Sequence, residues 1–195
     1  MIPTPFRYEA NLKPDDFQKI GQLSLRWSHT DHIIANCLKV MLRLTDDEAV
    51  IMVFPLTLDA RLTRIKEHRA IKPLPPKAEK AFQELQFAMT GLKTIRNTAI
   101  HAVLLDDAKG DQVLHLRSKG RSLTKAQIFD SEEITNYAAH AALIIRHELG
   151  EKDPAFIPFP LPDRPVIPAS IRPLFQAPRH EKKAAPKGPR RGKSK

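Results

Sequence analysis

One cysteine among 195 residues leaves Cys37 without an internal partner, which excludes a disulfide-stapled scaffold and agrees with a reducing compartment. Seven scattered glycines spell neither a phosphate loop nor a dinucleotide fingerprint, so nucleotide-dependent enzymes lose ground. No serine stands in a nucleophile elbow and no HExxH pair occurs, which weakens acyl transfer and zinc hydrolysis. Nowhere do 18 apolar residues run together, and the opening MIPTPFRYEANLKPDDF shows no basic stretch followed by an apolar core. No membrane association and a cytoplasmic location are therefore expected. What the chain does have is an ordinary globular composition, 42% hydrophobic and 28% charged, enough to bury one core.

Proline and charge are unevenly spread. Ten of the 17 prolines and 11 Lys and Arg against four acids fall in residues 151–195, so most of the formal charge of +10 belongs there. Two units are expected: a helical domain at 1–150 and a proline-rich basic tail at 151–195, extended or disordered. Phe156, Ile157, Phe159, Leu161, Ile171, Leu174 and Phe175 can still dock on the domain or on a partner. Two readings of the tail stay open, a solubilising appendage or a polycation that raises nucleic-acid affinity.

The first 150 residues carry the 3.6-residue period of helices. Pro14 with Asp15 and Asp16 opens a long amphipathic segment with Phe17, Ile20, Leu23, Trp27, Ile34, Leu38 and Met41 on one face. Asp31 interrupts that face, and a carboxylate there needs a partner. Thr45 and Glu48 form a capping box before a short helix ended by Pro55. The next helix starts near Thr57 or Asp59 with Leu58, Leu62 and Ile65 inward, and Arg61, Arg64 and His68 read as its solvated row. After the KPLPPK loop, Pro76 opens a helix with Phe82, Leu85, Met89, Leu92, Ile95 and Ala99 on one face, running to His101. The period then lapses, and 102–105 and 112–116 flank a turn-prone DDAKGD as a small hairpin. Ser131, Glu132 and Glu133 start a last helix that stops at Gly150. The fold class expected is all-α, a bundle of four to five helices with a β-hairpin insertion.

Few groups in this pattern carry chemistry. His29, Asp31 and His32 lie close in sequence, yet they read better as surface residues of the first helix than as metal ligands. Arg96, Asn97 and His101, in RNTAIH, put a guanidinium, an amide and an imidazole at the end of an otherwise apolar face. Asn97 and His101 share a face, whereas Arg96 and His101 sit about 140° apart around a regular helix. A cationic phosphate binder beside the one side chain that ordinarily titrates near neutrality can cleave a phosphodiester without metal. The same residues also suit a buried polar network of Arg96, Asn97 and Asp31 that fixes helix register, with His101 capping the helix end.

RNTAIH resembles the Arg-x4-His signature, Asn following Arg, of the HEPN superfamily (higher eukaryotes and prokaryotes nucleotide-binding domain). The order of helices over residues 10–150 is similar too: a long first helix with Trp and an acid, a helical pair, the motif near the end of a later helix, and a closing helix. Ala102 follows the histidine where members of that superfamily often have Gly or another polar or small residue. The resemblance implies a metal-independent endoribonuclease, a toxin or defence effector acting on RNA as a homodimer, with an antitoxin or other protein partner and no cofactor or metal. It implies that Arg96 holds the scissile phosphate and His101 is general acid or base around the attacking 2′-OH. Asn97 would orient His101 or contact phosphate, and Asp31 would position Arg96. Catalytically inactive members, serving as dimerisation or RNA-binding modules, are the alternative.

Overall fold

The computed structural model describes residues 14–101, 103–106, 112–116, 121–150 and 160–175, with backbone alone for the strand residues up to 122. The chain is mostly helical. Helix α1 spans Pro14–Leu42, α2 Asp46–Met52, α3 Leu58–Ile71 and α4 Pro76–His101; strands β1 Val103–Asp106, β2 Gln112–Leu116 and β3 Arg121–Thr124 follow, then α5 Lys125–Phe129 and α6 Glu132–Glu148. A 3-10 turn, Arg172–Phe175, closes the described chain. No helix among the described residues is long and apolar enough to cross a membrane.

Local chemistry sets the helix starts. Thr45 accepts from the backbone N–H of Glu48, whose carboxylate accepts from the backbone N–H of Thr45, the reciprocal box that starts α2. Thr57 caps α3 by accepting from the N–H of Ala60. A second capping box, Thr124 with Gln127, starts α5, a helix not foreseen from periodicity because it is barely one turn long. Ser131 precedes α6 but does not cap it: its buried hydroxyl donates back to the carbonyl of Ile128 at 2.6 Å. Arg43 ends α1 in the left-handed conformation (φ 57°), a position usually given to glycine.

The expected hairpin forms, β1 pairing antiparallel with β2 from Val103 opposite His115 to Asp106 opposite Gln112. It is extended by β3, which pairs with β2 from Val113 opposite Thr124 to Leu116 opposite Arg121 and feeds directly into α5. The turn predicted at DDAKGD lies outside the described residues, apart from the first Asp, which ends β1.

Helices α1, α4 and α6 share the core. Ile33, Ile34 and Leu38 from α1, Phe82, Leu85, Leu92 and Ile95 from α4, and Ile134 and Ile145 from α6 are almost completely buried. Phe17 is not part of it: the ring is exposed, while neighbouring Asp16 turns inward to take Lys125 of α5 at 2.8 Å. Part of the tail also joins the body. Residues 160–175 lie against α4 and α6, with Ile171 and Phe175 buried and Arg164 making two 2.7 Å hydrogen bonds to Glu84. An extended strap over this stretch fits its prolines; residues 151–159 and 176–195 lie outside the described chain.

Candidate functional site

The C-terminal half of α4 holds together because Leu85, Leu92, Ile95 and Ala99 bury one face of it. Arg96 and Asn97 fall at the edge of that face and are half-buried, whereas His101, at the last helical position, is exposed. Three elements enclose a cleft of about 370 Å³ beside them. Trp27 and Asp31 of α1 form its floor, Thr57, Leu58 and Asp59 at the start of α3 one wall, and Lys93, Arg96 and Asn97 of α4 the other. His101 does not line it.

Arg96 is placed by its neighbours. Its guanidinium carbon stands 5.9 Å from the centre of the Trp27 ring, at the outer limit of a cation–π contact, and its Nη1 donates to the Asn97 side-chain carbonyl at 3.0 Å. Its Nε is buried and has no hydrogen-bond partner among the described residues. A buried guanidinium donor left unpaired is costly, and such groups gather where a ligand completes the set.

Asp31 does find a partner, but a different one from that expected. Its carboxylate accepts a 2.6 Å hydrogen bond from Nη1 of Arg61, so it positions α3 rather than Arg96. Arg61 itself is buried at 6% exposure, contrary to its place in a solvated row, and its Nε and Nη2 donate to the carbonyls of Val53 and Phe54 after α2. The spacing held the clue: Arg61 sits between Leu58 and Ile65 on the inward stripe, and a lone carboxylate on the facing helix required a cation. Asn97 is likewise committed to Arg96 instead of His101. His32 contacts Asn36 at 3.0 Å and stacks on Phe54, and no group of three or more metal-ligating side chains forms among the described residues.

Lys93, which sequence reasoning passed over, and Asp59, read there only as a possible helix start, join the cleft walls through an ion pair. Lys93 stands three residues before Arg96, a spacing that puts two cations on one helical face and was readable in the sequence. The arrangement offers a fork-shaped and a point-like cation side by side in an open, polar cleft, with an exposed imidazole one turn further along the helix. That set can bind phosphate and exchange protons.

Compared with known proteins, the chain matches no family model, and no curated protein or solved structure is significantly similar to it.

Proposed function

We propose that the protein is a metal-independent endoribonuclease of HEPN type. The observation that carries the reading is the setting of the RNTAIH side chains: Arg96 lines an open cleft with an unpaired buried Nε, and His101 meets solvent rather than the core. Arg96 binds the scissile phosphate and stabilises the charge that grows on it. His101 removes the proton from the 2′-OH or protonates the leaving oxygen; the 2′-oxygen bonds to phosphorus as the bond to the 5′-oxygen breaks, leaving a 2′,3′-cyclic phosphate and a 5′-OH. About 140° separates the two side chains around α4, so one chain does not bring both to one point, and a homodimer in which two motifs face each other completes the site. A toxin or defence effector held in check by a protein partner is the setting this activity fits.

A catalytically silent RNA-binding or dimerisation module is the second reading. One observation favours it: Asn97 is engaged by Arg96 and leaves His101 without that orienting group. Incubation of the full chain with mixed RNA in chelator separates the two. Cleavage that persists without metal and disappears in His101→Ala supports the enzyme. RNA that is bound but left intact by wild type and variant alike supports the module.

A further inference from the structure

Resting on that RNA reading, we infer that Lys93 is a second phosphate contact beside Arg96, and that Asp59 occupies its place in the free protein. The cleft then takes two neighbouring phosphates of a single strand. Lys93 and Arg96, at i and i+3 on α4, have Cβ atoms about 5–6 Å apart and open into the same cleft. An Arg fork and a Lys ammonium three residues apart match a polynucleotide backbone better than a single small anion, since each cation takes its own phosphate.

The Lys93 ammonium already holds an anion. Asp59, on the opposite wall, is the carboxylate that pairs with it, and the two side chains are 61% and 40% exposed. An ion pair this open to water is readily exchanged. A phosphate entering from solvent takes the ammonium, and Asp59 swings away, so the pair is an internal stand-in for the ligand. Asp31 has no such freedom, because Arg61 holds it from behind. Trp27, only 8% exposed beside Arg96, offers little ring surface for a base to stack on. Recognition is therefore of the backbone, without base preference. The volume of about 370 Å³ is that of a modest small-molecule cleft, which admits a strand segment and no duplex.

The test measures binding of the full chain to a short 2′-O-methyl oligoribonucleotide, which 2′-OH attack cannot cleave, by fluorescence anisotropy over a range of salt. Lys93→Gln is expected to weaken binding roughly tenfold and to lower the salt slope by about 0.7, the loss of one phosphate contact on a single strand. Asp59→Asn is expected to tighten binding several-fold, and that gain should vanish in the Lys93→Gln background. Opposite signs from two neutralising changes rule out misfolding as the cause, and Lys93→Arg should bind as wild type does. A single-stranded 2′-deoxy oligonucleotide should bind comparably, and a duplex weakly.

Lys93→Gln binding like wild type while Arg96→Gln binds poorly would overturn the second contact and leave the RNA reading standing. A gain from Asp59→Asn that persists without Lys93 would reduce it to a general charge effect and overturn the exchange. Tight duplex binding overturns the single-strand assignment. Failure of the wild-type chain to bind any strand would remove both this inference and the RNA reading beneath it.

Discussion

The Asp31 carboxylate accepts a 2.6 Å hydrogen bond from Arg61, and the same guanidinium holds the carbonyls of Val53 and Phe54, so one side chain ties α1, the loop after α2, and α3. The start of α3 is the wall that carries Thr57 and Asp59 into the cleft. Removing the buried cation takes a donor from the Phe54 carbonyl and from a partly buried carboxylate, while the Val53 carbonyl keeps the Leu56 N–H. Arg61→Ala is expected to cost about 3 kcal/mol in urea unfolding. Asp31→Ala should cost less, about 1–2 kcal/mol, because the carboxylate is partly in contact with water. The double variant should be more stable than the sum of the two predicts.

Phe175 packs onto α4 at Gly91, where an added Cβ would lie 2.4 Å from the ring. The contact is with ring carbons close to the backbone, so relief requires the strap to move. Gly91→Ala is expected to destabilise the protein by about 1–3 kcal/mol and to raise hydrogen exchange across residues 160–175. In a Phe175→Ala background the same change should be close to neutral, since the ring it collides with has gone.

Glu84, Arg164 and Tyr137 make the strap's hold dependent on pH. The hydrogen bonds from Arg164 hold the Glu84 carboxyl below its ordinary 4.5, and burial, reinforced by the hydrogen bond to Glu84, pushes the Tyr137 phenol up to about 12. A lowered carboxyl stabilises the folded form above 4.5 and loses that effect as pH falls through its folded value. A raised phenol stabilises it fully below 10 and loses the effect as pH rises towards about 12. The contribution of this contact to thermal stability is therefore expected to be flat between these limits and to fall at both ends. Phenolate absorbance should show one late-titrating tyrosine, absent in Tyr137→Phe, and Arg164→Ala should shift the acid limb to higher pH.

If the RNTAIH residues act as proposed, Arg96→Ala and His101→Ala should each lower RNA cleavage in chelator by about 100-fold or more. Arg96→Lys keeps the charge but not the fork and should recover only part of the rate. Mixing the two alanine variants should restore some activity, because heterodimers carry an intact Arg96 in one chain and an intact His101 in the other. No restoration at any ratio would contradict a site shared by two copies.

Residues 176–195 carry eight Lys and Arg against one Glu. Phe175 is part of the body, so the informative truncation falls after it and not after Gly150. If the tail is the polycation of the RNA reading, ending the chain at Phe175 should lower both the affinity for RNA and its salt slope, measured by anisotropy; an unaltered slope would assign the tail no phosphate contacts.

Much of what depends on residues three or four apart could be read from the chain alone, although Ser131 does not cap α6 and Asn97 bonds Arg96 and not His101. The Thr45–Glu48 box and the Thr57 cap, one of the two starts offered for α3, are backbone satisfied by near neighbours, and they and the opening of α4 at Pro76 appear where spacing puts them. The Thr124–Gln127 box was equally legible and was passed over because no long period followed it. The partners of charged and aromatic side chains are another matter. Asp31 meets Arg61 thirty residues on, Asp16 meets Lys125 across 109, and Phe175 finds Gly91 only after the strap has folded back. Periodicity assigns a residue to a face without saying which residue of another helix lies opposite. That choice follows from how α1, α3, α4 and α6 cross and pack, and it is the choice that brought an isolated carboxylate and an overlooked lysine to one cleft, with the buried Arg61 behind the carboxylate.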